Sequence, residues 1–340
     1  MKKKIGWTVF LIIVTVIIYF HQLIGYGIAQ GKGQFHVLWN AEPIEEVLNN
    51  SSVADSTKQR LLLVNEIRNF AFDSLGLTPT DNYTTFFDQQ GKEILWVVSA
   101  CDPYKFEPKE WSFPVVGTFA YKGYFDVEKA KKLATELKED GFDVEMSPVS
   151  GWSTLGWFKD PVLSNMLEGS VGSMSNTLIH ELTHGTVFVP DSMTFNENLA
   201  SFIGRKGAFE FLELTYGQNS KEAIDYAARL SDSEKFTKYM VASASKLDSI
   251  YKAIESLPID EKEWHKSSFM NSFKLTIDTV SFIKPERYKK LFHNLSMNNA
   301  GFISFLKYRE RQSQFDEHLA QEFNNDLSKF IAHWKKRYPN

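Results

Sequence analysis

The sequence predicts an α+β fold in which a small mixed α/β part precedes a mostly helical part, with one N-terminal transmembrane helix before both. Three observations lead to this fold class. Residues 5–20 are almost entirely apolar, strand patterns alternate with a helix pattern before residue 172, and helical periodicity dominates from residue 173 onward. The predicted domains are an anchor over residues 1–25 and an ectodomain over residues 26–340, divided into residues 26–172 and 173–340.

The composition indicates a globular protein and gives no support for a nucleic-acid partner. The 340 residues can bury a sizeable core, and 43% hydrophobic with 24% charged residues is typical of globular proteins. A formal net charge of −4, without a basic stripe, gives no electrostatic reason to expect a nucleic-acid partner. The one cysteine, Cys101, excludes an internal disulfide and is predicted to be a core residue.

The N-terminus predicts a membrane anchor. Lysines at positions 2–4 precede the apolar run, which reaches the length of about 20 residues needed to cross a bilayer if it continues to Tyr26. A cleaved signal peptide is the alternative, since residues 27–29 offer a small-residue cleavage site. We favour an uncleaved signal anchor in the cell membrane, with the rest of the chain extracytoplasmic, either periplasmic or at the cell surface.

The elements of the α/β part follow in order. Apolar spacing predicts helices between residues 43 and 77, strands over residues 94–98, 113–121 and 142–146, and an amphipathic helix over residues 127–137. After Gly207, helices are predicted over residues 221–230, 233–257, 261–277, 285–293, 301–311 and 315–333. The histidines of this second part are not assigned to a metal.

A compact motif, His180-Glu181-Leu182-Thr183-His184, carries the chemistry. On a helix, His180 and His184 are one turn apart on one face, where both can bind one metal ion. Glu181 borders that face and is placed to take a proton from a metal-bound water. We expect this helix to start at Ser173 or Ser175 and to stop at Gly185.

A catalytic zinc site usually has three protein ligands, and Glu197 is the candidate for the third. A second helix is predicted to begin near Phe195 or Asn196. The alternative interpretation of Glu197 is a first-turn carboxylate that the helix dipole favours, beside a capping Asn196.

The motif H-E-x-x-H followed by N-E-x-x-A resembles the gluzincin zinc peptidases, the group of thermolysin and aminopeptidase N. Residues 185–196 separate His184 from Glu197. This spacing is shorter than in those two families and resembles that of a bacterial family of predicted, envelope-associated aminopeptidases. Further stretches that resemble this family are residues 113–117, 120–125, 153–158, 160–164 and 298–300, with Tyr308 after them. The likeness covers most of the chain beyond residue 25.

This resemblance implies a gluzincin-like fold and a membrane-tethered zinc metallopeptidase, in particular an aminopeptidase. It implies Zn²⁺ ligands at His180, His184 and Glu197, with Glu181 as the general base that activates water against a peptide or protein substrate. It also implies Tyr308 as the donor to the developing oxyanion, ahead of Tyr121 and Tyr124. A zinc endopeptidase and a non-catalytic zinc-containing envelope binding protein are the alternatives.

Two local hypotheses complete the predicted site. Asn198, Ser201 and Asp191 are equal candidates to orient the ligating histidines. Residues 152–158 are predicted to be a strand, which either packs in the core through its tryptophans or holds an extended substrate along a sheet edge.

Overall fold

The structure is a computed structural model that describes residue 7 and residues 19–113, 117–149, 158–190, 192–294, 297–307 and 312–340. The fold is mixed and 64% helical, with small β-sheets. The described elements before the candidate site are, in chain order, α1 (His21–Trp39), β1 (Glu42–Pro43), α2 (Ile44–Asn49), α3 (Asp55–Asp73), β2 (Thr85–Phe87), β3 (Trp96–Cys101), β4 (Trp111–Phe113), β5 (Gly117–Phe119), β6 (Tyr121–Tyr124), α4 (Val127–Glu139), β7 (Asp143–Pro148) and β8 (Val162–Leu163).

The remaining described elements are helices, apart from a short 3₁₀ turn, Ser164–Leu167, that follows β8. They are α5 (Val171–His184), α6 (Met193–Tyr216), α7 (Lys221–Ala253), α8 (Ile259–Thr276) with a 3₁₀ turn after it (Ile277–Thr279), α9 (Pro285–Asn294), α10 (Asn299–Lys307), α11 (Gln312–Phe323) and α12 (Leu327–Arg337).

The described strands form three small sheets, in the orders β1-β2-β8, β6-β3-β7 and β4-β5. In the second sheet β3 is central, and it is antiparallel to both β6 and β7. Helix α4 covers one face of this sheet with the buried side chains of Ala130 and Leu137, which pack with Val98 and Val144. Asp126 caps α4 by accepting hydrogen bonds from the main chain of its first turn.

The largest apolar cluster surrounds α5 and α6, the two helices that carry the predicted site. Leu178, Ile179 and Leu182 of α5 and Phe202 and Ile203 of α6 are almost fully buried in it. Because these helices are fixed by apolar packing on one side, the polar stripe on the other side of α5 is held in a defined orientation. A separate cluster joins α7 to α10.

The predicted fold class needs a correction at the N-terminus. In the part of the chain that the structure describes, no helix is both long enough and apolar enough to cross a membrane, so the predicted transmembrane helix is not supported. Residues 1–6 and 8–18 of the predicted anchor lie outside the described residues. Helix α1 continues past the predicted boundary at residue 25, and it carries Gln22, Gln30 and Lys32, whose polar side chains lower its apolarity. The extracytoplasmic location stays a prediction.

Other predicted boundaries also shift. The two helices predicted over residues 221–230 and 233–257 are one helix, α7, because Ser231 and Ser233 do not interrupt it. The strand predicted over residues 113–121 corresponds to separate short strands, with residues 114–116 outside the described residues. The strand predicted over residues 152–158 also falls outside the described residues, except for Phe158.

Candidate metal centre

Helix α5 presents the H-E-x-x-H motif on its partly exposed side. The helix begins after Ser170, whose Oγ accepts a hydrogen bond of 3.2 Å from the main-chain nitrogen of Ser173. The prediction that Ser173 or Ser175 is the N-cap is therefore wrong. Ser175 lies inside the helix, where its Oγ donates to the Val171 carbonyl. Gly185 follows the last helical residue, as predicted.

The two motif histidines point toward one place. Their Nε2 atoms are 3.2 Å apart, and their ring centroids are 4.9 Å apart in an edge-to-face arrangement. This contact follows from the spacing of four residues, which places the side chains one turn apart on the helix.

Glu197 of α6 completes the group. Its Oε2 is 3.5 Å from Nε2 of His180, and its Oε1 is 3.4 Å from Nε2 of His184. Helix α6 begins at Met193, earlier than predicted, so Glu197 lies in the second turn and Asn196 is not its cap. The alternative interpretation of Glu197, a first-turn carboxylate beside a capping Asn196, does not fit this helix.

The distances among these ligand atoms fit a metal ion. Ligands at about 2.0–2.1 Å from a zinc ion, with tetrahedral angles between them, are about 3.3 Å from one another. The two imidazole nitrogens are 3.2 Å apart, and each faces a different carboxylate oxygen of Glu197, at 3.4 and 3.5 Å, so all three separations are close to that value. His180, His184 and Glu197 could therefore hold a metal ion through two imidazole nitrogens and one carboxylate, the donor set that suits zinc.

Asn196 fixes the loop between the two helices. Its Oδ1 accepts a hydrogen bond of 2.9 Å from the Val189 nitrogen, and its Nδ2 donates one of 2.9 Å to the Val189 carbonyl. Because Asn196 is buried and precedes Glu197 in α6, this pair of bonds sets where the carboxylate enters the site. Asn196 was predicted only as a cap in the alternative interpretation of Glu197, and its role in the loop is a finding of the structure.

Gly204 lets α6 lie against α5 next to the histidines. A Cβ atom at this position would be 2.8 Å from the Asn176 carbonyl oxygen and 3.1 Å from the Cβ of His180. Main chain cannot yield to such a contact without moving one helix, so a glycine is required here. The distance between Glu197 and the histidines depends on this close crossing.

Among the candidates to orient the histidines, Ser201 contacts a ligating ring. Its Oγ is 3.4 Å from Nδ1 of His180, the ring nitrogen that faces away from Glu197. Asn198 donates instead to the Thr194 carbonyl and accepts from Gln312 of α11. Asp191 lies outside the described residues.

Charges and burial within the group favour the metal-binding forms of His184 and Glu197, whereas the raised pKa of His180 favours its protonated form, whose proton a metal ion would have to replace. Burial and the neighbouring His180 lower the pKa of His184 to about 4, so this imidazole is neutral at pH 7. Burial raises the pKa of Glu197, but the hydrogen bond with His180 and the charges of both histidines lower it overall, which keeps the carboxylate ionised. Burial lowers the pKa of His180, but Glu197 and Glu181 raise it overall.

Glu181 has the environment of a general base. Burial raises its pKa, His180 lowers it, and the charges of Glu197 and Asp160 raise it further, to about 7. A carboxylate with a pKa near the working pH can both accept and return a proton. A divalent cation bound beside it would favour the ionised form.

A buried pair behind Glu181 was not singled out by sequence. The main-chain nitrogen of Tyr83 donates a 2.6 Å hydrogen bond to the Asp160 carbonyl, and both residues are almost fully buried. Burial, then the charges of Glu181 and Asp160, raise the pKa of the Tyr83 hydroxyl well above its usual range. Tyr83 has a φ of 62°, a strained conformation for a bulky residue of the kind that clusters at functional sites.

Of the three candidate tyrosines, Tyr308 lies outside the described residues. Tyr121 is 46% exposed and close enough to Glu197 for its charge to act on the Tyr121 hydroxyl, whose pKa is raised first by burial and then by that charge. Burial is also the main cause of the raised pKa of Tyr124, about 12, followed by Tyr26 and Glu136.

The Asn298-Asn299 pair joins the β6-β3-β7 sheet, hereafter the central sheet, to the C-terminal helices. Asn299 donates from its main chain to the Asp143 carboxylate, donates from Nδ2 to the Asp102 carbonyl, and accepts from the Tyr251 hydroxyl. Asn298 donates to the Val144 carbonyl. These contacts give the pair a structural role at the start of β7.

Comparison with known proteins agrees with a peptidase. A family model described as "Putative aminopeptidase" matches residues 25–338, and the chain belongs to that family. The family supports peptidase activity, and a peptidase acts on peptide substrates. No curated protein and no solved structure matches the chain.

Proposed function

We propose that this protein is a zinc-dependent aminopeptidase of gluzincin type. The observation that carries the proposal is the set of ligand-atom separations, 3.2 to 3.5 Å, among His180, His184 and Glu197, with Glu181 adjacent in the same helix. Family membership supports a peptidase, and the donor set supports zinc.

In this proposal the chain supplies an acid–base group and a fixed geometry. Zinc, when bound by the two histidines and Glu197, lowers the pKa of water and polarises a carbonyl oxygen. Glu181 takes the proton of the attacking water and then gives it to the leaving amine nitrogen, so that one carboxylate serves both steps. Ser201 and the packing of α5 against α6 hold the imidazole of His180 in place.

Two alternatives can be separated from this function by experiment. An endopeptidase would cleave a peptide and its N-acetylated form at similar rates, whereas an aminopeptidase needs the free amine. A non-catalytic zinc protein would bind zinc and leave a broad peptide library intact. The presence of Glu181 argues against that second alternative, because a structural zinc site needs no base.

The decisive comparison is the full chain against Glu181→Gln and His184→Ala. We expect about one zinc ion per chain in the wild type and in Glu181→Gln, measured by elemental analysis, and much less in His184→Ala. Peptide hydrolysis should fall by about a hundredfold or more in Glu181→Gln. Glu168→Gln, an exposed position just before α5, is the matched control and should keep both properties. A wild-type protein without zinc, or full activity in Glu181→Gln, would contradict the proposal.

A further inference from the structure

Strand β6 is the edge of the central sheet in the described part of the chain, since it pairs with β3 alone. The register places Tyr121 opposite Ser99 and Gly123 opposite Val97. In an antiparallel ladder the main-chain groups of alternate residues point to opposite sides of the strand. Tyr121 and Gly123 are two residues apart, so their main-chain groups point to the same side.

Helix α1 shows which side this is. The hydroxyl of Tyr26 donates a 2.9 Å hydrogen bond to the Gly123 carbonyl, and Nε2 of Gln30 donates a 2.7 Å bond to the same oxygen. Both lone pairs of the Gly123 carbonyl thus accept hydrogen bonds from α1, so this carbonyl points away from β3. The main-chain groups of Tyr121 point to the same side.

The Tyr26 ring fills the space around this point. It stacks on Phe113 of β4 with centroids 5.5 Å apart and contacts the edge of Tyr124, also at 5.5 Å. Helix α1 therefore covers the edge of β6 at Gly123 through two hydrogen bonds and the ring of Tyr26, which packs against Phe113 and Tyr124.

The other end of the same edge carries Tyr121, whose side chain is 46% exposed and within range of the charge of Glu197. The side chain of Tyr121 lies near Glu197, as described above. From Tyr121 to Gly123 the strand advances by about 7 Å, the length of two extended residues. Among the described residues, the part of this edge that no strand or helix covers is thus short, with α1 at its far end and Tyr121 at the end within range of Glu197.

We propose that a peptide substrate pairs with β6 at Tyr121, and that Tyr26 and Gln30 of α1 close this edge at Gly123, so that only the end of a peptide fits. The inference rests on the proposed function and deepens it, because it assigns the selection of chain ends to α1. An extended peptide binds a sheet edge through its main chain, and Tyr121 offers both a donor and an acceptor for this. A chain that continued past Gly123 would displace Tyr26 and Gln30, which leaves their polar groups without partners. The family description indicates that the retained end is the amino end.

The first test opens the closed end. Tyr26→Ala/Gln30→Ala removes both donors and the ring, and Tyr19→Ala/Gln22→Ala makes the same two changes at exposed positions before and within α1. The measured quantity is the ratio of kcat/KM for a peptide to that for its N-acetylated form. We expect a large ratio in the wild type and in the control, and a ratio lower by about tenfold to a hundredfold in Tyr26→Ala/Gln30→Ala. An unchanged ratio in that variant, folded by circular dichroism and with its zinc, would overturn the proposal.

A second measurement does not depend on turnover or on the stability of the α1 variant. Hydrogen exchange of the segment 117–126 is followed by mass spectrometry in Glu181→Gln, with and without each peptide. The free-amine peptide should slow exchange at β6, and the N-acetylated peptide should not. No protection by the free-amine peptide would overturn the proposal. A wild type that lacks zinc and hydrolysis, or that cleaves both peptides at equal rates, contradicts the proposed function itself. A wild type that discriminates between the peptides, with Tyr26→Ala/Gln30→Ala discriminating equally well, contradicts only the closed edge.

Discussion

Ser201 lies beside the candidate metal centre without belonging to its proposed ligands, with Oγ 3.4 Å from Nδ1 of His180. A hydroxyl at this position fixes the ring orientation in which Nε2 faces Glu197. We expect Ser201→Ala to weaken zinc binding by about tenfold to a hundredfold, measured by competition with a chelator. Ser201→Thr keeps the hydroxyl and should keep the affinity. Equal affinities in all three proteins would show that the ring is held by packing alone.

Cys101 should be chemically inert in the folded protein. Burial, followed by the charges of Asp143 and Asp102, raises the pKa of its thiol to about 12, and its Sγ lies 3.1 Å from the Lys105 carbonyl. At pH 8 the thiol is therefore protonated, and the thiolate is the reactive form. We expect no reaction with a thiol reagent at pH 8 in the native state and one thiol per chain after unfolding. Rapid modification of native protein would contradict this environment.

The sequence alone can identify a site residue when that residue lies close along the chain to the other residues of the site. His180 and His184 are recognisable because one turn of helix relates them, and Glu197 because it lies near the start of the next helix along the chain. Ser201 was one of three equal candidates, and only the rotation of α6 against α5 separates it from Asn198. The buried pair Tyr83 and Asp160 carries no local pattern, since several strands and a helix separate Tyr83 from Asp160, and β8 and a 3₁₀ turn separate Asp160 from the helix of Glu181.

At the scale of elements, Gly204 sets the distance between the two site helices. In Gly204→Ala the new Cβ would be 2.8 Å from the Asn176 carbonyl oxygen, so α6 must move and carry Glu197 with it. We expect the zinc affinity to fall by at least about tenfold, because ligands misplaced by a fraction of an ångström bind poorly. Titration with zinc measures this change.

Gly207→Ala is the matched control for Gly204→Ala. Its Cβ would meet the side-chain ends of Leu75 and Ile179, which can shift, instead of main chain. We expect a lower Tm with little change in zinc affinity. If both variants lost zinc equally, general loosening of the α5–α6 pair, and not the position of Glu197, would explain the loss.

Apolar periodicity predicts the bounds of a helix well where the buried side chains and the capping residue indicate the same bounds. The helix expected over residues 127–137 is α4, Val127–Glu139, because a buried stripe and an Asp cap coincide. The start of α5 was misplaced because Ser170, Ser173 and Ser175 all suit a cap, and only the structure shows which Oγ reaches a free main-chain nitrogen. The transmembrane helix was expected from apolar composition at residues 5–20, whereas the described α1 is too polar to cross a membrane.

At the scale of the whole molecule, a buried ion pair links the central sheet to the C-terminal helices. Nζ of Lys266 in α8 is 2.8 Å from both carboxylate oxygens of Asp143 in β7, and both side chains are largely buried. Lys266→Met leaves a buried charge without its partner, which costs about 3–5 kcal/mol in the free energy of unfolding. Urea unfolding measures this cost.

Lys131→Met is the control for this prediction, because Lys131 forms an exposed pair with Glu128. Its effect on the free energy of unfolding should stay within about 0.5 kcal/mol. The double variant Asp143→Leu/Lys266→Met should recover part of the loss, since no charge is left buried. Equal stabilities of Lys266→Met and Lys131→Met would mean that the pair does not hold the two parts together.

Contacts between residues this far apart along the chain could not be predicted from sequence patterns. Lys266 and Asp143 are 123 residues apart, and neither belongs to a motif. The approach of Tyr121 to Glu197 is similar, because it depends on how a sheet edge meets a helix pair. Periodicity describes one helix or strand at a time and contains no information on how distant elements pack against each other.

The close crossing of α5 and α6 has a consequence for the order of folding. All three proposed ligands lie between residues 180 and 197, within one pair of consecutive helices, so bringing them together closes only a short loop. Contacts between residues near in sequence form faster than those between distant ones, such as Lys266 and Asp143. Zinc capture should therefore precede the docking of the sheet on the C-terminal helices, and in stopped-flow refolding it should appear as the earlier phase. The ion would then act as a nucleus around which the rest of the chain assembles.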